Sequence, residues 1–244
     1  MRAALISDIH GNFVALEAVL ADIEQARPDL IVCLGDVIES GPQPREVLAR
    51  LQAIGAQTIL GNTDERVLHP QPYDPPTERA RRSAEIEAWN VALLTPADRA
   101  FLASFQATIT LELAPGTHLL CFHGSPRSNT EVILATTPES ELDLMLAGCD
   151  ALVLAGGHTH TQLLRRYRQQ VIVNPGSVGL PFELRPGGDF RPPWAEYALV
   201  EAAPGGLRID LRRVRLDVAA VVQAAHTSGM PHAASWAEAW ERHP

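Results

Sequence analysis

Lysine is absent from this chain of 244 residues, and all 20 of its basic residues are arginines. The absence excludes a phosphate-binding loop built on lysine, a lysine Schiff base and a serine–lysine nucleophile pair. Arginine can still bind a carboxylate or a phosphate through two parallel hydrogen bonds. The 29 acidic residues leave a net charge of −9. That charge argues against a bulk nucleic-acid binder, because such a protein needs a basic face.

Cysteine is scarce as well, and its three positions, Cys33, Cys121 and Cys149, lie far apart in the chain. This number and spacing exclude a disulfide framework and a cysteine-based zinc site, and they are typical of a reducing compartment. The sequence contains no apolar run that fits a membrane span, and the first apolar stretch ends at once at Asp8, unlike a secretory signal. We therefore expect a cytoplasmic protein without a membrane partner.

Short apolar runs alternate with helical stretches in the first quarter of the chain. Strands are predicted over 3–7, 29–34 and 57–60, and helices over 12–26 and 45–54 lie between them. This β-α-β-α-β order predicts an α/β fold in which helices pack on a parallel sheet.

The remainder of the chain has a helical section followed by more strands. Two segments rich in Pro or in Pro and Gly, 70–77 and 184–193, are predicted as loops. Helices are predicted over 78–94, 95–104 and 138–147, and strands over 107–113, 117–122, 151–155, 170–173, 196–202 and 207–214. The tail over 216–242 is predicted to form two short helices that break near 228–231.

These patterns predict one main domain with two additions. The main domain covers 1–215 and includes a helical insert at 70–105 that could form a lid. A helical C-terminal extension at 216–244 is expected to pack on the same domain. The sequence contains no internal repeat and no low-complexity linker.

Side chains that can bind a metal follow five predicted strands. Asp8 and His10 lie two positions apart, so in an extended chain they project in the same direction. The complete set is Asp8, His10, Asp36, Asn62, His123, His158 and His160. Each short motif alone is weak, because Gly, Asp and Asn are common in turns. Seven such residues at five strand ends indicate one shared site, because open α/β sheets bind ligands at that edge.

These blocks resemble the calcineurin-like metallophosphoesterase family, in its small bacterial and archaeal phosphodiesterase branch. The five main blocks, in the order of the family, are Asp8-Ile9-His10-Gly11-Asn12, Gly35-Asp36, Gly61-Asn62-Thr63-Asp64, His123-Gly124 and Gly157-His158-Thr159-His160. Two further blocks resemble that branch, Gly41-Pro42-Gln43-Pro44 and Asn174-Pro175-Gly176-Ser177. The resemblance implies a four-layer α-β-β-α sandwich, in which two mixed sheets are flanked by helices.

The resemblance also implies a dinuclear metal centre. One metal would be held by Asp8, His10, Asp36 and His160, and the other by Asp36, Asn62, His123 and His158, so that Asp36 bridges the two. Asp36, Asn62 and His123 would be the catalytic residues around a metal-activated hydroxide that attacks the phosphorus atom. Independently of the family, this mixture of imidazole, carboxylate and amide ligands suits divalent ions such as Mn, Fe, Zn, Co or Ni. With the dinuclear site that the resemblance implies, we expect two such ions, with Mn the first choice.

The family pattern is broken at Thr63, where many members carry a histidine that protonates the leaving group. A threonine hydroxyl is a poor acid at neutral pH. We therefore expect hydrolysis of phosphodiester or phosphoanhydride bonds with good leaving groups, in substrates such as nucleotides or dinucleoside polyphosphates. A phosphomonoesterase or protein phosphatase is the alternative within the family. A non-catalytic metal-binding scaffold, as in a retromer-coat subunit that resembles the same branch, is the alternative outside enzymes.

Several residues around the blocks are candidates for supporting roles. Asn62 and Arg127 are predicted to contact the substrate, although Arg127 could equally be a solvated surface residue. Asn12, Asp64, Asn174 and Ser177 are predicted to support the ligands, with Asp64 equally suited to cap a helix. Three arginines at the start of the helix after 70–77 could face a polyphosphate, although a solvated helix face is favoured; they are Arg79, Arg81 and Arg82. A homo-oligomer remains open.

Overall fold

A computed structural model of the protein describes residues 1–71, 74–185, 188–203 and 205–241. Its strands are β1 (Arg2–Ile6), β2 (Leu30–Cys33), β3 (Gln57–Thr58), β4 (Ile109–Ala114), β5 (Thr117–Cys121), β6 (Val153–Ala155), β7 (Leu163–Tyr167), β8 (Gln170–Asn174), β9 (Glu183–Arg185), β10 (Gly188–Phe190), β11 (Trp194–Ala203) and β12 (Gly206–Arg215). Its helices are α1 (Phe13–Ala26), α2 (Pro44–Ala53), α3 (Asn62–Leu68), α4 (Glu78–Leu93), α5 (Pro96–Leu102), α6 (Glu139–Met145), α7 (Val218–Thr227) and α8 (Ala233–Glu241). Parts of the predicted loops at 70–77 and 184–193, and the end of the predicted tail, lie outside the described residues.

Two five-stranded sheets form the centre of the molecule. The first has the strand order β12-β11-β1-β2-β3, and the second has the order β4-β5-β6-β8-β7. In the first sheet β1, β2 and β3 are parallel, while β11 and β12 are antiparallel to their neighbours. In the second sheet β5, β6 and β8 are parallel, and the edge strands β4 and β7 are antiparallel. Both sheets are therefore mixed, as the family resemblance implies.

The alternation of side chains along the buried strands accounts for the layers of sheets and helices. On β1, Ala3 and Leu5 face the core shared with the second sheet, whereas Ala4 and Ile6 face the core under α1 and α2. On β6, Val153 and Ala155 face the first sheet, and Leu154 faces the cluster that contains α6. Because successive side chains of a strand point to opposite faces, each central strand contributes to two cores. This arrangement confirms the four-layer sandwich.

The C-terminal helices pack on the helical face of the first sheet. Val221 of α7 and Trp240 of α8 are fully buried in the same cluster as α1. Ile86 of α4 packs with Ala225 and Met230 in a smaller cluster. The segment after residue 215 and the helix of the predicted insert therefore contact each other. Whether α4 moves as a lid stays a prediction.

Two regions differ from the secondary structure predicted from the sequence. The strand β7 was missed, because its Leu-Leu-Arg-Arg-Tyr sequence lacks clean alternation and it forms an exposed edge of the second sheet. The prediction of a loop throughout 184–193 was wrong, because β9 and β10 pair with each other there. A two-stranded ribbon needs no strong apolar pattern, since its backbone hydrogen bonds are made within the ribbon.

None of the helices within the described ranges combines the length and the apolar character that crossing a lipid bilayer requires.

Candidate metal centre

The predicted metal-binding side chains come together where the strands of both sheets end. Asp8 and His10 follow β1, and Asp36 follows β2. From the other strands, Asn62 follows β3, His123 follows β5, and His158 and His160 follow β6. The parallel strands run in the same direction within each sheet, so their carboxyl ends meet at one edge. Asp8, His10, Asp36 and His123 are at most 4% exposed there.

Two groups of ligand atoms share one carboxylate. The first group contains Asp8, His10, Asp36 and His160, and the second contains Asp36, His123 and His158. Within each group, the candidate ligand atoms all lie within 4.8 Å of one another. The Asn62 Oδ1 atom lies 3.0 Å from the Nε2 atom of His123, beside the second group. The seven residues thus form two adjoining clusters that meet at Asp36.

Three of the imidazole rings are oriented by backbone carbonyls. The Nδ1 atoms of His10, His123 and His160 lie 3.0, 2.7 and 2.7 Å from the carbonyl oxygens of Glu39, Leu34 and Leu180. A carbonyl oxygen only accepts hydrogen bonds, so each Nδ1 atom donates and a neutral ring keeps its lone pair on Nε2. This is the arrangement in which protein histidines hold metals.

The atoms that converge at the centre would repel one another without a cation or a proton. The Nε2 atoms of His10 and His160 are 3.1 Å apart, and the Nε2 atom of His160 is 3.3 Å from Asp8 Oδ1. The buried Asp8 Oδ1 atom accepts no hydrogen bond within the described residues. These imidazole lone pairs and the unpartnered carboxylate oxygen point into the same space. Such a set of donor atoms suits a divalent transition-metal ion such as Mn²⁺ or Zn²⁺.

The buried carboxylates and imidazoles shift one another's pKa values. Burial raises the pKa of Asp36, but the His123 and His10 rings and the Thr63 N–H outweigh it and hold this pKa well below its usual range. Burial lowers the pKa of His123, but the Asp36 carboxylate outweighs that effect and raises it to about 9. Burial and His160 lower the pKa of His10 to about 4. At neutral pH the metal-free centre therefore holds an ionised Asp36 beside a protonated His123.

The backbone is strained at five of the seven predicted ligands. Asp8, His10, Asp36, His158 and His160 have φ angles of 54°, 49°, 55°, 68° and 55°. For residues with a Cβ atom this left-handed conformation costs roughly 1–2 kcal/mol each. Such strain persists where surrounding structure enforces it, and it concentrates at functional sites.

Gly61 lets the loop after β3 pass close to the Asp36 carboxylate. A Cβ atom on Gly61 would lie 2.2 Å from both the backbone nitrogen and the Oδ1 atom of Asp36. The same close approach lets the Thr63 N–H donate to Asp36 Oδ1 at 2.9 Å. Gly61 is therefore needed for the position of Asn62 beside Asp36.

The residues predicted to support the ligands hold the loops rather than the rings. The Asn174 amide donates to the Gly157 carbonyl at 2.6 Å, and the Ser177 hydroxyl donates to the Asp8 carbonyl at 2.8 Å. Both side chains thus hold main chain beside the predicted ligands, while backbone carbonyls orient three of the rings.

Asn12 and Asp64 also support the main chain near the ligands. The Asn12 Oδ1 atom caps α1 by accepting from Ala15 N at 3.1 Å, while its amide donates to the Gly179 carbonyl. The Asp64 carboxylate accepts from the N–H groups of Val37 and Gly61 at 2.9 and 3.2 Å. Asp64 thus connects the loop after β2 to the loop after β3, in addition to capping α3.

Thr63 and Arg127 both have their polar groups turned to the protein. Thr63 is buried, and its hydroxyl oxygen has no hydrogen-bond partner among the described residues. The Arg127 Nε atom donates to both carboxylate oxygens of Glu131 at 2.9 and 3.0 Å. The side chain of Arg127 is 53% exposed. A contact between Arg127 and the substrate stays a prediction. For that contact, the Arg127 guanidinium would have to leave Glu131 and bind the substrate instead.

Two neighbouring cavities open beside the metal centre. The inner cavity, about 490 Å³, is lined by His158, His160 and Thr159 together with two arginines, Arg79 and Arg191. The outer cavity, about 650 Å³, shares both arginines and is lined further by Arg82 and by two glutamates, Glu78 and Glu238. Arg191 was not singled out in the sequence, because an arginine in a Pro/Gly-rich segment gives no signal of proximity to a histidine 31 positions earlier.

The chain is similar to known proteins over most of its length. A metallophosphoesterase of known structure from Sphaerobacter thermophilus is 27% identical and has a TM-score of 0.76, with 99% of this chain and 98% of that chain aligned. An uncharacterised protein of Methanocaldococcus jannaschii is 27% identical over 190 residues, which are 73% of this chain and 76% of that protein.

A shorter match links the chain to a named enzyme. The symmetrical bis(5′-nucleosyl)-tetraphosphatase of Klebsiella pneumoniae is 37% identical over 71 residues, which are 28% of this chain and 25% of that enzyme. The sequence profile of the calcineurin-like phosphoesterase superfamily domain matches residues 1–201. That match includes all seven residues of the centre, and the chain belongs to the calcineurin-like phosphoesterase superfamily.

Proposed function

We propose that this protein is a hydrolase that cleaves phosphodiester or phosphoanhydride bonds with two divalent metal ions. The observation that carries the proposal is the position of Asp36, whose carboxylate belongs to both groups of converging ligand atoms. A carboxylate shared between two such groups is what a two-metal site requires. The anchored imidazoles around it support the same conclusion.

The residues that would hold the ions follow the two clusters. Asp8, His10, Asp36 and His160 would hold one ion, and Asp36, Asn62, His123 and His158 would hold the other. When bound, the ions would supply a nucleophile from water and neutralise the charge that develops on the phosphate. We propose Mn²⁺ first, with Fe, Zn, Co and Ni as alternatives, because imidazole, carboxylate and amide ligands suit these metals.

The chain itself contributes charge balance and positioning. Asp8 and Asp36 carry two negative charges against the four positive charges of two divalent ions, so the loaded site would attract an anionic phosphate ester despite the net charge of −9. Asn62, at the start of α3 and beside His123, is the residue we propose to contact both an ion and the substrate. The Thr63 N–H keeps Asp36 Oδ1 in position.

The leaving group decides the preferred substrate. The Thr63 hydroxyl is buried and is a poor acid, so it gives little help to an alcohol that must be protonated as it departs. Phosphoanhydrides and activated diesters need less help. The partial relative named as a bis(5′-nucleosyl)-tetraphosphatase supports this class, because the bonds of a tetraphosphate are phosphoanhydrides. We therefore propose a small phosphate-ester or nucleotide substrate. We also propose a cytoplasmic location, because three cysteines far apart in the chain are typical of a reducing compartment.

Two alternatives remain. A phosphomonoesterase or protein phosphatase would use the same centre, and a metal-binding scaffold would keep the ions without turnover. The enzyme is favoured over the scaffold because all seven ligand positions are filled with metal-competent side chains.

A substrate panel tests the proposal. Protein stripped of metal and reloaded with Mn²⁺ is assayed with an aryl phosphodiester, an aryl phosphomonoester, a cyclic nucleotide and a dinucleoside polyphosphate. Asp36→Asn is the test variant, and Asp150→Asn, at an exposed aspartate, is the matched control. We expect metal-dependent turnover of diesters or polyphosphates that only Asp36→Asn abolishes. Turnover of monoesters alone would favour the first alternative, and no turnover with two bound ions would favour the scaffold.

A further inference from the structure

Helix α4 is mostly exposed, yet it buries one asparagine completely. Of its 16 residues only Ile86 and Asn90 are buried. Ile86 packs against Ala225 and Met230 of the C-terminal segment, as expected of an apolar residue. A buried amide group instead needs hydrogen-bond partners, because leaving it unpaired away from water costs free energy. The partners of Asn90 therefore indicate what this side chain does.

Both partners of Asn90 lie in the loop that follows β2. Its Oδ1 atom accepts from the Ser40 N–H at 3.0 Å, and its Nδ2 atom donates to the Gly41 carbonyl at 3.0 Å. A backbone N–H only donates and a carbonyl only accepts, so this orientation of the amide satisfies both groups. Ser40 has a φ angle of 82°, a conformation that a residue with a Cβ atom keeps only where its surroundings enforce it. Asn90 thus holds a strained turn of this loop.

One peptide unit joins Asn90 to a proposed metal ligand. The Ser40 N–H belongs to the same peptide unit as the Glu39 carbonyl, and that carbonyl oxygen accepts from the Nδ1 atom of His10 at 3.0 Å. In a trans peptide the N–H and the C=O point in opposite directions, so Asn90 and His10 hold the unit from its two sides. Hydrogen bonds in such a chain polarise one another. Asn90 therefore makes the Glu39 oxygen both better placed and a better acceptor for the His10 ring.

The same loop packs tightly against the main chain of His10. A Cβ atom on Gly41 would lie 1.9 Å from the His10 carbonyl oxygen. The buried Glu39 carboxylate is bound by the Arg66 guanidinium of α3, which holds this residue from its side chain as well. The loop can therefore move little without displacing the Glu39 carbonyl from the His10 ring.

A second proposed ligand gives an internal comparison. The Nδ1 atom of His160 donates to the Leu180 carbonyl at 2.7 Å, but the residue after Leu180 is Pro181. Proline has no N–H, so a side-chain acceptor cannot hold that peptide unit from its other side. Of these two rings, only His10 can therefore be supported through a peptide N–H.

We infer that Asn90 is a positioning residue, which orients the His10 ring through the Glu39–Ser40 peptide unit and so strengthens one of the two proposed metal sites. Residues that orient a metal-binding imidazole through its other nitrogen affect both the direction and the basicity of the ligand. The part of the inference that concerns the metal rests on the proposed function. The part that concerns the ring does not.

Nuclear magnetic resonance of the metal-free protein tests the effect on the ring. With ¹⁵N-labelled histidine, the Nδ1–H signal of His10 is assigned by its loss in His10→Gln. Asn90→Leu removes both hydrogen bonds with little change in volume, so the His10 Nδ1–H should exchange with water roughly 10-fold faster, while the Nδ1–H of His160 should keep its rate. Asn90→Asp keeps an acceptor for the Ser40 N–H and should restore most of the protection.

Calorimetric titration with Mn²⁺ tests the effect on the metal. In Asn90→Leu the site that contains His10, identified by its loss in His160→Gln, should bind roughly 10-fold more weakly, the lower end of the range for residues that orient a ligand. The site that contains His123 should keep its affinity. Leu142→Ala, in the separate core that contains α6, destabilises the protein elsewhere and should change neither readout. If Asn90→Leu does not fold, Asn90→Ser takes its place, because its shorter side chain leaves room for water.

The outcomes separate this inference from the proposed function. An unchanged exchange rate of the His10 Nδ1–H in Asn90→Leu would overturn the inference, and so would an unchanged Mn²⁺ affinity of its site. Equal changes at His10 and His160, or an equal loss of affinity at both sites, would also overturn it, because they would show a general loosening of the fold. If the unaltered protein binds no Mn²⁺, the proposed function fails, while the exchange rates of the metal-free protein still decide the role of Asn90.

Discussion

The imidazole rings of His10 and His160 face each other with their Nε2 atoms 3.1 Å apart, while each Nδ1 atom donates to a backbone carbonyl. The two rings come from residues 150 positions apart in the chain. With both outer nitrogens engaged, the inner lone pairs can be satisfied together only by a cation or by a proton between them. The pair is thus built to share a positively charged occupant with Asp8 and Asp36.

Because Asp36 belongs to both ligand groups and His160 to one, we expect substitutions of these two residues to remove different numbers of metal ions. His160→Gln removes a ligand of one group only, so we expect the variant to keep about one of two ions per chain after dialysis. Asp36→Asn weakens both groups, so it should keep less than one. Metal content measured by plasma mass spectrometry checks both, with His118→Gln at an exposed position on β5 as the control. Two ions retained by His160→Gln would contradict the assignment.

Metal binding should release protons at neutral pH. In the metal-free protein, Asp36 raises the pKa of His123 to about 9, so this ring is protonated at pH 7. A metal ligand must be neutral, so Mn²⁺ would displace that proton. The release should be close to one proton from His123 at pH 7, and it should fall towards zero as the pH rises through about 9. His160, whose pKa Asp8 raises despite burial, would add to the release.

Calorimetric titration in buffers of different ionisation enthalpy measures this release directly. The slope of observed heat against buffer enthalpy gives the number of protons at each pH. His118→Gln, at an exposed position on β5, serves as the control, because it leaves the histidines of the centre unchanged. Heats that do not depend on the buffer at pH 7 would contradict a protonated His123.

Because Thr63 is a poor acid, we expect the rate of hydrolysis to depend on the leaving group. Without an acid at this position, the rate should decrease steadily as the leaving-group pKa rises across a series of aryl phosphodiesters, since general acid catalysis is typically worth roughly 10²- to 10⁴-fold. Thr63→Val should preserve both the rates and the slope, because the buried hydroxyl makes no hydrogen bond among the described residues. It should also stabilise the protein slightly, by about 1 kcal/mol, because it removes a buried polar group without a partner.

Steady-state kinetics on four or five esters, with urea unfolding of both proteins, checks this prediction. A rate that does not vary with leaving-group pKa would mean that another group supplies the proton. A changed slope in Thr63→Val would assign that group to Thr63 itself.

Because Trp240 is buried in the main core, we expect the C-terminal helices to unfold together with the rest of the protein. This side chain is fully buried in the cluster under the first sheet. Trp240→Ala should lower the free energy of unfolding by about 3–5 kcal/mol, the range for a large aromatic residue removed from a core. Trp236→Ala, at a half-buried position on the same helix, should cost less.

Urea unfolding followed by circular dichroism measures both variants. We expect one transition in each, displaced to lower urea for Trp240→Ala. An unchanged midpoint, or a second transition at low urea, would show that the tail is a separate unit.

The sequence was informative wherever a short block carried the chemistry. The seven ligand positions could be found because each follows a strand end within one or a few residues, and a parallel sheet brings such ends to one edge. The strands β1 and β2 were recognisable as apolar runs because they contribute to the cores on both faces of the first sheet. By contrast, β7 and the β9–β10 ribbon have no such run, because they lie at an edge or outside the main sheets.

The sequence by itself determined the fold class, the identity of the candidate ligands and the absence of an acid at Thr63, because these depend on residue type and local spacing. Only the tertiary structure decided which carbonyls orient the rings, that Asn174 and Ser177 hold backbone rather than imidazole, and that Asn90 and His10 bind the same peptide unit. Those contacts join segments that are distant in the chain. Residue order alone does not encode which of these distant atoms meet, because the packing of the whole chain brings them together.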